Sequence, residues 1–155
     1  MSESPFPVRR KLPHDIPSWV RQGTRHFVTV NCKGPDTAPL VDEGIAPALL
    51  ASARFYEERD RWYLWLMLVM PDHVHLITTF DLTRGIRDTM SAWKRYQARA
   101  LGVSWQKDFF EHRLRDDQAF WEKAQYVRMN PVRKGLVERP EEWEYVIDRR
   151  ALGSV

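Results

Sequence analysis

The sequence predicts an α+β fold, an antiparallel sheet with helices packed on one face. Short runs rich in β-branched and aromatic residues alternate with stretches of helical apolar spacing. Two of the runs are separated by only a tight turn, which marks a hairpin. A length of 155 residues with 43% hydrophobic content suits one domain, able to bury roughly two-thirds of its unfolded surface.

Residues 1–22 contain Pro5, Pro7, Pro13 and Pro17 and read as an irregular basic arm carrying Arg9 and Arg10, with Trp19 to pin it. Residues 26–31 alternate as a first strand. A turn-rich segment from 33 to 44 leads to a helix over 47–59, where Leu49, Leu50, Ala53 and Tyr56 keep helical spacing. The apolar run 62–69 is a second strand and 73–80 a third, joined by Met70-Pro-Asp72. A second helix covers 83–101 and closes at Gly102. Its stripe is Ile86, Met90, Trp93 and Leu101, while Arg84, Arg87, Lys94, Arg95 and Arg99 fall on the other side. Residues 105–114 are extended. A third helix opens at Asp116 or Asp117, both good N-caps, and ends at Asn130, because Pro131 disfavours helical geometry before it. This order of elements makes a ferredoxin-like sheet with the hairpin central. Residues 141–155 form a C-terminal tail.

Composition narrows the function classes. The longest apolar run, Trp62 to Met70, falls short of the roughly 20 residues of a membrane span, and no export signal precedes it. Cys32 stands alone, which excludes an internal disulfide and fits a reducing cytoplasm. Net charge is +3, yet 24 basic residues give a pI near 9.2, which permits a polyanionic partner without demanding one.

His73 and His75 are two apart on a strand, so both imidazoles point to one side and make half of a metal site. On the third helix, Phe120, Ala124 and Val127 form the apolar stripe. Tyr126 and Asn130 share a face about 120° from it, placing a phenol beside a neutral carboxamide that a hard divalent cation accepts. An ordinary amphipathic contact and a helix-end asparagine give the same pattern. Glu122, one turn before Tyr126, reads as a metal-facing group or a solvated charge. Tryptophans exposed near such a site would stack bases.

Met70-Pro-Asp-His-Val-His-Leu76, Phe110-Glu-His-Arg-Leu-Arg-Asp116 and Tyr126-Val-Arg-Met-Asn-Pro-Val-Arg-Lys-Gly-Leu-Val137 arrive in an order that resembles the REP-associated tyrosine transposases. These belong to the single-tyrosine HUH endonucleases, related to insertion-sequence transposases. With the first strand the likeness covers most of residues 24 to 140. It implies a ferredoxin-like sheet with His73 and His75 on a central strand, binding Mg²⁺ or Mn²⁺ with Asn130. It also implies Tyr126 as the nucleophile that cuts single-stranded DNA at REP-type palindromic hairpins, leaving a 5′-phosphotyrosine. The expected protein is cytoplasmic and nucleoid-associated, a monomer or homodimer. Arg9, Arg10, Arg84, Arg87, Lys94, Arg95, His112 and Arg128 are candidate DNA contacts. For the helix residues a solubilising face is the alternative, and for His112 a structural hydrogen bond. The tail Trp143-Glu-Tyr-Val-Ile-Asp148 departs from the family's aromatic–serine ending. Two other functions stay open: a catalytically silent hairpin-binding protein of the same fold, and an unrelated metallohydrolase with Asp72 or Glu122 as its base.

Overall fold

The computed structural model describes residues 16–34, 39–42 and 44–150; Arg9 and Arg10 lie outside them. In chain order the elements are α1 (Ser18–Arg21), β1 (Arg25–Asn31), α2 (Ile45–Glu58), β2 (Trp62–Met70) and β3 (His73–Phe80). There follow α3 (Ile86–Leu101), β4 (Phe110–Leu114), α4 (Asp117–Arg128), α5 (Asn130–Arg133) and, after a 3₁₀ turn, β5 (Val146–Asp148). The five strands form one antiparallel sheet in the order β4-β1-β3-β2-β5, so β3 runs through its middle.

The expected α+β sheet is present, but its helices are divided between two faces. Val28, Val30, Met67, Val69, Val74 and Leu76 pack with Leu49 and Ala53 of α2 and with Met90 and Trp93 of α3. On the opposite face Phe27, Trp65, Leu68 and Ile77 pack with Phe120, Ala124 and Val127 of α4, joined by Ile16 and Val20 of the arm. The placement of all helices on one face is thereby corrected. The physical reason is in β2, which is buried at every residue. A strand apolar on both sides needs cover on both sides. Arg25 fastens α4 to β1, its guanidinium 4.1 Å from the Phe120 ring centroid and ion-paired with Asp117.

Trp65 is an extra residue in β2. Leu64 pairs with Thr78 and Leu66 with Ile77, which leaves Trp65 as a bulge. Because strand side chains alternate, the bulge resets which face the rest of β2 presents. Met67 and Val69 thus meet α2 and α3, and Leu66 and Leu68 meet α4. Trp65 itself stays anchored, its indole donating to Thr79 Oγ1 at 3.1 Å.

Helix ends follow local chemistry with two corrections. Gly102 closes α3 in the left-handed region (φ 73°), as its lack of a Cβ allows. The helix starts at Ile86 instead of 83, because Asp81 ties up the Thr83 amide and hydroxyl in a turn and Gly85 has φ 84°. Asp116 caps α4, accepting from the Ala119 amide at 2.8 Å. Pro131, however, does not stop the chain from turning. The α4 ladder lapses at Met129 and resumes as α5 with Pro131 in its first turn, where a missing N–H costs little.

The C-terminal tail contributes β5, which pairs with β2, while Trp143 donates its indole N–H to the Val69 carbonyl at 3.1 Å. Of the expected strand 105–114 only the second half is regular; Trp105 makes an isolated bridge to Cys32. No described helix is long and apolar enough to cross a membrane.

Lys94 is not on an outer basic face. It is buried, and its ammonium donates to the carbonyls of Gln106 and Lys107 at 2.9 Å each and of Asp108 at 3.4 Å. A flexible four-carbon stem lets a lysine placed beside the core stripe reach these carbonyls. Lys94→Met is expected to lower unfolding free energy by about 1–3 kcal/mol in urea titrations, since the loop carbonyls lose their donor.

Candidate functional site

β3 begins at His73, so both histidines lie near one end of the middle strand, on the face that α4 covers. Their Nε2 atoms are 3.1 Å apart. Each ring is held from behind. Asp72, in the hairpin turn, accepts from His73 Nδ1 at 2.7 Å, and this hydrogen bond is the main reason its carboxyl sits below the usual range. With that proton on Nδ1, His73 Nε2 carries a lone pair. Thr29 of β1 meets His75 Nδ1 at 3.0 Å. A hydroxyl both donates and accepts, so Thr29 tolerates either tautomer of His75. Phe27 completes the cradle, stacked on His75 with centroids 5.3 Å apart at 28°.

Asn130 supplies a third polar head. The α4–α5 junction buries its carboxamide, and Nδ2 donates to His73 Nε2 at 3.2 Å. His73 Nε2 therefore faces two partners with one lone pair. Among the described residues no cluster of three His, Cys, Asp or Glu is found. A cation at this point would rest on two imidazoles and a neutral amide, once Asn130 turned its oxygen inward. Two imidazole nitrogens and one amide oxygen are a mixed donor set of the kind a divalent transition ion accepts, with water or phosphate oxygens to complete the shell. The carboxylate and hydroxyl behind the rings are the outer partners that metal-binding histidines use.

Tyr126 stands one turn before Asn130 and is 54% exposed. Two cations attend its ring. The Arg133 guanidinium lies 3.9 Å from the centroid and donates to the Tyr126 carbonyl at 2.7 Å. The Lys123 ammonium is 5.2 Å from the same ring and 4.7 Å from that of Phe27. Lys123 thus links the tyrosine to the aromatic that backs His75. Neither cation has a carboxylate partner among the described residues. Burial, reinforced by His73, Lys123 and Arg133, pushes His75 down to about 3.

Of the residues singled out in the sequence, His73, His75 and Asn130 meet, and Tyr126 lies one helical turn before Asn130. The others do not join them. Arg84, Arg87 and Arg95 are exposed, but α3 is on the opposite face of the sheet. Lys94 is tied to loop carbonyls. Arg128 is turned toward β5, its Nε 3.2 Å from Asp148 Oδ2, so it is spent on holding the tail. His112 is exposed on edge strand β4, on the same face as His75. Glu122 is a solvated helix charge bonded to Gln118. Exposed Trp121 is on α4, where Arg150 lies 5.8 Å from its ring. Thr29, Phe27 and Lys123 were not foreseen. Lys123 at three residues before Tyr126 was the one readable signal, since that spacing places side chains together on a helix.

Comparison with known proteins agrees with the fold. The family model described as "Transposase IS200 like" matches residues 21–130. A REP-associated tyrosine transposase of Escherichia coli K12 is 29% identical over 133 residues, 82% of this chain and 77% of the relative. A putative REP-associated tyrosine transposase of Haemophilus influenzae is 29% identical over 97 residues, 50% of this chain and 53% of that one. A solved REP-associated tyrosine transposase bound to a REP hairpin superimposes with a TM-score of 0.62 at 26% identity, covering 94% of this chain and 82% of that structure.

The depressed His75 has a signed consequence for stability. An unfolded imidazole protonates near 6.5, whereas the folded one stays neutral down to about 3. Between those values the unfolded chain binds more protons, so stability falls as pH drops from 6.5 toward 3. In chelator, His75→Gln is expected to remove about 2 kcal/mol of the stability loss seen between pH 7 and pH 5 in urea melts.

Proposed function

Since the chain belongs to the IS200-like transposase family, we propose that it is a divalent-cation-dependent single-stranded DNA endonuclease and strand transferase. Its substrates in this reading are palindromic hairpins of the REP type, as the hairpin held by the solved relative suggests. The observation that carries the reading is the meeting of His73, His75 and Asn130, with Tyr126 one helical turn away.

The bound cation, Mg²⁺ or Mn²⁺, would polarise a phosphate oxygen and offset the charge that builds up during displacement. His73 and His75, oriented by Asp72 and Thr29, would hold that ion, and Asn130 would add a neutral oxygen once its carboxamide turned. The Tyr126 oxygen attacks phosphorus in line. A bond from that oxygen to phosphorus forms as the bond from phosphorus to the 3′-oxygen breaks. The phenol gives up its proton and the departing 3′-oxygen takes one up. The products are a 5′-phosphotyrosine and a free 3′-hydroxyl. Because the phosphoester is conserved, a second 3′-hydroxyl can reverse the step and join a new strand without a nucleotide cofactor. Lys123 and Arg133 add positive charge where the phosphate must approach. In this reading the tyrosine and the histidines come from one subunit, in keeping with the contact of Asn130 with His73 of its own chain.

The test is a denaturing gel of wild type with a single-stranded, 5′- or 3′-labelled REP-type hairpin and Mn²⁺. Wild type is expected to yield a covalent protein–DNA band and Tyr126→Phe none. A wild type that binds the hairpin but never yields the band would favour the catalytically silent binder. Asp72→Asn, which loosens the support behind His73, is expected to raise the Mn²⁺ concentration needed for half-maximal cleavage about 10- to 100-fold.

A further inference from the structure

Edge strand β4 carries aromatic surface that the proposed chemistry leaves unused. Phe110 is 55% exposed. His112 follows two residues later, so both side chains share one face of the strand. Their rings are nearly parallel, at 13°, with centroids 6.4 Å apart. The face is that of the candidate site: Phe110 pairs in register with Thr29 and His112 with Phe27. Those two β1 residues are the ones that hydrogen-bond and stack on His75. Phe110 also touches Phe27 edge-on, with centroids 6.2 Å apart. The alternate residue Glu111 points away and is bonded to His26. Lys123, lying over Phe27, brings a cation to the same spot.

A flat aromatic pair open to solvent, one strand from a phosphate-handling centre and next to the Lys123 ammonium, suits one kind of ligand. Nucleobases have apolar faces that stack on such rings irrespective of sequence, and the phosphate beside them needs a cation. We propose that Phe110 and His112 form a stacking platform for one unpaired nucleobase adjoining the scissile phosphate, with Lys123 taking its phosphate. The platform holds the single strand in line with Tyr126 and rests on the reading of the site as a single-strand DNA centre. A second copy of the chain on this edge is the competing occupant.

The experiment uses the full chain in chelator, so that no cleavage occurs. A hairpin oligonucleotide carries single-stranded flanks, with 2-aminopurine at one flank position at a time. Wild type is expected to quench the probe at one position. Phe110→Ala should lose that quench and bind about 5- to 100-fold more weakly, while Phe110→Trp restores both. The platform is overturned if Phe110→Ala binds and quenches as wild type does. It is also overturned if the variant only converts a dimer to a monomer in sedimentation with unchanged DNA affinity. Covalent-band formation by wild type separates the two claims. Quenching without a covalent band refutes strand transfer and leaves the platform standing. A band from wild type, with Phe110→Ala unchanged in binding, refutes the platform alone.

Discussion

Two imidazole nitrogens are held 3.1 Å apart on one face of the middle strand, and most of the surrounding structure serves that contact. It exists because His73 and His75 alternate with Val74, whose side chain goes to the opposite core. A slip of one residue in the pairing of β3 would send both histidines into that core. Register is fixed from both sides, by β1 and by β2. The neighbours then finish the cradle: Thr29 and Phe27 from β1, Asp72 from the turn. Burial of His75 costs the protein its ability to charge that ring, and this keeps the nitrogen available as a lone-pair donor at neutral pH.

The second half of the site depends on how α4 is hung over the sheet. Arg25 ties the start of the helix down, and Phe120, Ala124 and Val127 seat its length. The lapse at Met129 and the new turn at Pro131 bury Asn130 against His73, while Tyr126, a turn earlier, stays open to solvent. Two successive helices, α4 and α5, therefore carry an exposed tyrosine and a buried carboxamide one turn apart. The cations Lys123 and Arg133 flank the Tyr126 ring, and no described carboxylate neutralises them.

Much of this was readable in the sequence because it is local. Strand alternation gave the shared direction of His73 and His75, and helical spacing gave the shared face of Tyr126 and Asn130. Gly102 and Asp116 marked helix ends through their own backbone and side-chain chemistry. The misreadings are non-local. Which sheet face a helix covers depends on β2 being apolar on both sides, and the long run Trp62 to Met70 was the overlooked sign. The Trp65 bulge leaves no trace in composition. Lys94 and Arg128 look like free surface cations until loop carbonyls or Asp148, distant in sequence, come within reach. The role of Thr29 follows only from knowing that β1 pairs with β3.

Manganese binding, followed by electron paramagnetic resonance on the DNA-free protein, tests most directly whether the histidine pair and Asn130 hold one cation. One ion per chain is expected, with affinity lost in His75→Ala, weakened in Asn130→Ala and kept in Tyr126→Phe. Equal Mn²⁺ affinity in wild type and His75→Ala would contradict the account.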